Sequence, residues 1–353
     1  MGSSAQVAGR VRSVLKDAFA GVIFVPEMEL SLAISYYDHV SDLLRGRVRA
    51  EGIHLATVEL PVEEIFFRML LFVEWDVAEF SMAKYVSLVG SGTPPFFAIP
   101  VFPSRMFRQS SFYVATGAAI SGPGDLVGRR VGIPEWAQTA GIYARAYLQH
   151  QSGVRLRDIH WVQAGVNQPG RIEKVMLSLP EGVTIEHIHE RSLNEMLLSG
   201  DLDAVISARE PTAFTARDPA VSRLWPDHHA LEEAYYRDTR IFPIMHVIVI
   251  KAATLDRHPW IAMNLFKAFE EAKDNSLLSL SSSLKSRIPI PWSHDRTNEA
   301  RALFGDDFWP YGIEPNRHTL GAFLQYCHEQ GVTNRQVQIE ELFPPQLGKF
   351  FKA

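Results

Sequence analysis

Apolar residues along this chain come in two alternating patterns: short runs of strand character, and stretches where they recur every three to four positions. Residues 28–35 (MELSLAIS), 52–60 (GIHLATVEL), 75–80 (WDVAEF) and 95–102 (PFFAIPVF) belong to the first kind. Between them, 38–46 turns Val40, Leu43 and Leu44 inward and ends on Gly46. Pro61 then opens a helix with Ile65, Phe66, Met69 and Leu70 on one face. A second set follows the turn-rich ATGAAISGPGD, with strands expected at 128–134, 159–165, 183–189 and 202–208. Helices are expected at 138–150, 171–179 and 191–199, the last closed by Gly200. A third stretch starts with a strand over 241–251, turns helical around Trp260, Ile261, Leu265, Phe266 and Phe269, and ends on the stripe Leu320, Phe323, Leu324, Cys327. Strand–helix alternation of this kind predicts an α/β protein whose parallel sheet is covered by helices.

The chain has 353 residues, 46% of them hydrophobic and 21% charged, enough apolar material for about two globular domains. The net charge of −5 argues against a nucleic-acid partner, and no apolar run approaches the roughly 20 residues of a membrane span. The single cysteine, Cys327, excludes an internal disulfide and sits on a packing stripe, so it reads as a small buried hydrophobe. Residues 18–25 (AFAGVIFV), after Arg10, Arg12 and Lys16, have the outline of an export signal. Asp17 abuts that run, however, and Pro26-Glu27-Met28-Glu29 stands where a small-residue cleavage site belongs. A cytoplasmic protein with an N-terminal extension over 1–28 is expected.

Several chemistries drop out for want of their motifs. There is no GxGxxG after a strand, no GxxxxGK[ST] and no G-x-S-x-G elbow. The pairs His187/His189 and His228-His229 lack the acidic and histidine neighbours of a metal site, so no metal is expected. The polar residues at strand ends are more telling, because ligands of open α/β sheets collect there. Arg105 and Arg108 follow one buried strand and Arg209 another, and guanidinium groups suit a carboxylate or phosphate. Gln138 and Thr139 open a helix whose N–H groups make an anion seat, or simply cap it. Ser81 and Asp38 lie at strand–helix junctions, and His246 is the titratable histidine best placed at a crossover.

The blocks IFFRML (65–70), PFFAIPVFPSRMFR (95–108), GRRVGIPE (128–135), QPGRIEKV (168–175), GDLDAVISAREP (200–211), IFPIMH (241–246), HPW (258–260) and GDDFWPYGIEPNRHTL (305–320) resemble the 4,5-dihydroxyphthalate decarboxylases. These enzymes of aromatic-acid catabolism, in phthalate degradation, are built on the type II periplasmic-binding-protein fold. The resemblance runs from about residue 29 to 345. It departs from the family pattern at Asn167-Gln168, where acidic residues are usual, and at Met82, Ala83 and Lys84 in place of a serine-rich turn.

The resemblance implies two lobes joined by two crossovers, with the ligand cleft between them: 29–115 plus 243–353, and an inserted 116–242. It implies decarboxylation of a hydroxylated benzene-dicarboxylic acid, most simply 4,5-dihydroxyphthalate to protocatechuate, without an organic cofactor. Arg105, Arg108 and Arg209 would clamp carboxylates, His246 or Asp38 would serve as proton donor or phenol base, and Ser81, Gln138 and Thr139 would orient the ring. The alternative is a solute-binding protein that captures a small organic acid for a transporter. A homo-oligomer, as a symmetric dimer, is the base-rate expectation.

Overall fold

The computed structural model of the protein describes residues 27–92 and 94–344, so residues 1–26 of the expected N-terminal extension lie outside the described residues. Eleven strands are found among the described residues: β1 (Met28–Ile34), β2 (Ile53–Glu59), β3 (Val77–Ser81), β4 (Phe96–Ile99), β5 (Phe112–Ala115), β6 (Arg130–Ile133), β7 (His160–Gln163), β8 (Ile185–His187), β9 (Ala204–Ile206), β10 (Val221–Arg223) and β11 (His246–Lys251). They form two sheets, in the orders β2-β1-β3-β11-β4 and β10-β5-β9-β6-β7-β8. Each sheet with its helices is one lobe. The long alternating runs became strands because they are buried on both faces; all five residues of β3 are buried.

Neither sheet is wholly parallel. β11 runs antiparallel to both β3 and β4, and β5 antiparallel to β9 and β10. The chain crosses between lobes twice, and each crossing delivers a strand against the prevailing direction. Because Phe112–Ala115 pairs with Ile206 and Ala204 of the second sheet, the first crossing runs through 100–111, earlier than the boundary at 115 expected from the sequence.

The two crossings touch. Arg105 and Ile244 form an antiparallel bridge, Met245 N–H donates to Ser104 at 2.8 Å, and Met106 N–H donates to Pro243 at 3.2 Å. The Arg105 guanidinium lies across this junction, donating to the carbonyls of Pro310 (2.7 Å) and Phe242 (3.2 Å) and to Asn316 Oδ1.

The lobes also meet along one flank. Helix Thr139–Ala146 of the second lobe packs on helix Arg317–Glu329, with Tyr143 and Phe323 stacked at 4.8 Å. Trp136 Nε1–H donates to the Gln330 carbonyl (2.7 Å), and Arg145 Nε–H to Gln330 Oε1 (2.9 Å). Cys327 is fully buried here among apolar neighbours, and burial raises its thiol pKa far above the ordinary value. Among the described residues no helix is long and apolar enough to cross a membrane.

One expected helix is absent. Residues 171–179 form an irregular arm, because its charged side chains are held by the second lobe instead of by one another. Glu173 accepts from the N–H groups of Trp136 (2.7 Å) and Ala137 (3.2 Å), and Ser178 N–H donates to Gly331 at 2.8 Å. Tertiary partners outweigh a weak helical spacing.

Candidate functional site

The carboxyl ends of β1 and β3 and the start of β11 converge between the lobes. Register pairs His246 with Ser81, and two residues back on the same face of β3 lies Glu79, fully buried. The Glu79 carboxylate has three donors: His246 Nδ1–H (2.6 Å), the Tyr37 hydroxyl (2.5 Å) and the Ser35 N–H (3.0 Å). A carboxylate only accepts, so Nδ1 carries the proton and Nε2 is the free nitrogen. The imidazole is partly exposed, and the Phe66 ring meets it edge-on at 4.8 Å. Burial, reinforced by Glu79, raises the Tyr37 pKa well above its ordinary value, which keeps the phenol a donor.

Thr139 reaches this end of the first lobe from across the cleft. Its hydroxyl lies 3.1 Å from Ser81 Oγ and accepts the Ala83 N–H at 3.0 Å. Thr139 therefore satisfies a first-turn donor of helix Met82–Ser91, in the other lobe. Just before the helix that follows Gln138, Glu173 accepts from the N–H groups of Trp136 and Ala137.

Farther along the cleft lies a cavity of about 480 Å³, lined among others by Glu63, Gln138, Asn167, Arg171 and Arg209. Glu63, in the first turn of helix Val62–Phe72, meets Arg209 at 3.0 Å and Arg171 at 3.5 Å. Behind them is Glu135, only 1% exposed, on which Lys84 (2.5 Å), Arg171 (2.7 Å) and Lys174 (3.3 Å) converge. Burial alone would raise the Glu135 pKa; Lys84, Arg171 and Lys174 together outweigh it and hold the carboxyl below its ordinary range. The loop carrying Arg171 folds back so tightly that a Cβ on Gly165 would lie 1.8 Å from the Gln168 carbonyl oxygen.

Of the residues expected from sequence, Ser81, Thr139 and His246 meet at the strand ends, while Gln138 and Arg209 line the cavity. Gln138 Oε1 is buried without a hydrogen-bond partner. Arg108 is 8% exposed; its Nε–H points at Met245 Sδ (3.1 Å), and burial lowers its pKa to about 10. The charge of Glu232, which accepts from the Ser110 N–H at 3.0 Å, acts on it.

Two of the expected residues are engaged elsewhere. Asp38 turns to Arg287 (3.1 Å) and Ser276 (2.5 Å), because the 3-10 turn Asp38–Val40 points its side chain at helix Ile261–Leu280. Arg105 is committed to two carbonyls and Asn316 at the lobe junction.

Sequence reasoning passed over Glu79, Tyr37, Glu63 and Arg171. The signal for Glu79 was present: a carboxylate inside the apolar strand WDVAEF is costly unless something pairs with it. The departures noted above have structural uses, Lys84 on Glu135 and Asn167 between the Glu210 carbonyl and the Thr212 N–H.

The strand-end cluster offers an oriented imidazole with one free nitrogen, beside a cleft whose other wall is cationic. That arrangement can hold an anion and deliver or accept one proton. Among the described residues no three His, Cys, Asp or Glu side chains are grouped to hold a metal ion.

No family model matches the chain. It is 38% identical over 327 residues to the 4,5-dihydroxyphthalate decarboxylase of Comamonas testosteroni, covering 92% of this chain and 99% of that one. It is likewise 38% identical over 216 residues to the 4,5-dihydroxyphthalate decarboxylase of Pseudomonas putida, covering 61% and 84%. In structure it is similar to the periplasmic aliphatic sulphonate-binding protein SsuA of Escherichia coli, at a TM-score of 0.52 and 13% identity over 91% of this chain and 98% of that one. A putative periplasmic sulfonate-binding protein of Methylobacillus flagellatus KT gives 0.51 and 13%, over 92% and 93%. The fold is thus that of the periplasmic binding proteins, with two lobes and a cleft between them.

Proposed function

The chain belongs to the 4,5-dihydroxyphthalate decarboxylase family, and from that premise we propose that it removes one carboxyl group of 4,5-dihydroxyphthalate as CO2, leaving protocatechuate. The observation that carries a chemical role, beyond ligand capture, is the imidazole of His246 fixed through Nδ1 by the buried Glu79.

In this reading the protonated His246 donates from Nε2 to the ring carbon that bears the departing carboxylate. The new C–H bond interrupts the aromatic ring, and the hydroxyl para to that carbon supplies electron density to the cation. The C–C bond then breaks, its electron pair restores the ring, and CO2 leaves. The imidazole takes a proton from water, so one proton is consumed for each CO2 formed. Glu79 holds the imidazole in place through Nδ1. Arg108 and Arg209 hold carboxylates, the first as a buried cation beside Met245. Gln138 Oε1 accepts a ring hydroxyl, while Ser81 and Thr139 set the distance between the cleft walls.

The test is to incubate purified, chelator-treated protein with 4,5-dihydroxyphthalate and follow CO2 and protocatechuate. Equal molar release of both is expected. Tight binding without turnover would instead identify a solute-binding protein, and activity lost to the chelator and restored by a divalent ion would remove the metal-free mechanism. A cytoplasmic location, supported by the sequence around residues 17–29, is tested by fractionating cells.

A further inference from the structure

The cavity beyond the strand-end cluster carries more positive charge than its own carboxylates neutralise. Four cations (Lys84, Arg171, Lys174 and Arg209) surround two acids, Glu135 and Glu63. The two acids differ in kind. Glu135 is buried and engages Lys84, Arg171 and Lys174 at once, so it is a fixed counter-ion that sets the position of Arg171. Glu63 is 43% exposed, sits on the first turn of a helix in the other lobe, and contacts its partners at 3.0 and 3.5 Å. The nearby Glu173 is turned onto the backbone N–H groups of Trp136 and Ala137.

Glu63 thus occupies, across the cleft, the place where a ligand carboxylate bound to Arg171 and Arg209 would lie. We propose that Arg171 and Arg209 form the receptor for the carboxylate of the substrate that does not react, and that Glu63 is its internal stand-in, displaced when an aromatic dicarboxylate enters. Several features support this. Exposed ion pairs are weak, so displacing Glu63 costs little. Arg171 keeps its Nε and Nη2 bonds to Glu135 throughout, and therefore meets the incoming group already oriented. The cavity of about 480 Å³ lies within the range of small-molecule sites, and the unpartnered Gln138 oxygen lines the same space. This inference rests on the decarboxylase reading for the identity of the ligand, but its test does not need turnover.

The probe is phthalate, which has both carboxylates and no hydroxyls, titrated calorimetrically into the full-length protein. Glu63→Gln is expected to tighten phthalate binding about fivefold, as the competing pairs are lost. Arg209→Gln, at an exposed position, is expected to weaken it about tenfold. The gain from Glu63→Gln should shrink when the two changes are combined. Glu64→Gln makes the same charge change one residue away, at a side chain paired with Arg68, and is expected to leave binding unaltered. Weaker binding in Glu63→Gln would show that Glu63 only latches the lobes and would overturn the proposal. An equal gain in Glu64→Gln would also overturn it, by reducing the effect to net charge. Binding in the expected pattern without CO2 release from 4,5-dihydroxyphthalate would sink the decarboxylase reading alone; normal turnover with the Glu63 effect reversed would sink this one alone.

Discussion

Replacing Glu79 by glutamine tests the link between a buried carboxylate and the chemistry in front of it. The change keeps the volume, but its one carbonyl oxygen can accept either from the Ser35 N–H, at one carboxylate oxygen, or from the Tyr37 hydroxyl, at the other. It places an amide NH2 or a neutral oxygen against His246 Nδ1, where an anion now accepts at 2.6 Å. An NH2 there forces the proton from Nδ1 to Nε2, while a neutral oxygen gives up the charge-assisted hydrogen bond that holds the imidazole. A hydrogen bond to a charged group contributes about 1.5–3 kcal/mol. Loss of one such bond from the proton-donating state corresponds to a fall in kcat of about a hundredfold, since about 1.36 kcal/mol is tenfold in rate. Glu79 is fully buried behind the imidazole, so KM should stay within about threefold. The assay is protocatechuate formation at saturating substrate, with urea unfolding alongside to confirm a folded enzyme. A kcat within threefold of wild type would refute the assignment of His246 as the oriented proton donor.

Arg105→Ala is expected to cost about 3–5 kcal/mol in urea unfolding, because it leaves the Phe242 and Pro310 carbonyls and Asn316 without their buried donor; folded variant should bind phthalate normally in calorimetry. Asp38→Asn should leave kcat and KM within twofold, and cost about 1 kcal/mol or less through the weakened Arg287 pair, read by the same two assays. Glu135 has its pKa lowered in the folded state, so its contribution is present above the ordinary glutamate value and is lost as pH falls through the lowered one. Wild-type stability should therefore drop as pH falls below about 4.3, whereas Glu135→Gln lacks that component and at pH 7 is already about 3 kcal/mol less stable, as measured by urea unfolding across pH.

How far the sequence alone reveals this molecule depends on whether a feature is local. The long strands were legible because burial on both faces leaves mainly apolar runs, as in Val247–Ile250, with Glu79 the exception inside Val77–Ser81. Strand β10 was not, because three residues (Val221–Arg223) carry no period and owe their conformation to pairing with β5. The arm at 171–179 carries a helical spacing that its tertiary partners override. At the site, the strand-end rule marked Ser81, Thr139 and His246, which the fold brings together. The same rule marked Arg105 and Asp38, whose side chains turn to other partners, since it specifies where a backbone ends and not where a long side chain turns. Glu63 was hidden for a related reason: on a solvent-facing helical turn a glutamate is unremarkable until a second lobe faces it.

The flank between helices Thr139–Ala146 and Arg317–Glu329 differs in kind from the mouth held by Glu63. One is an apolar seam with Tyr143 stacked on Phe323 and Gln330 locked to Trp136 and Arg145; the other is a pair of exposed ion contacts. Opening the first would expose aromatic surface, whereas opening the second would rehydrate charges and break the Lys84–Glu135 pair and the Thr139 hydrogen bonds that also span the cleft. Separation is therefore cheapest as a one-sided yawn about the seam. In the decarboxylase reading, an aromatic acid that uses the cavity beside Glu63 enters and leaves past that glutamate. Product inhibition by aromatic monoacids, which linger at the doorway the next substrate must use, is the kinetic signature of that architecture.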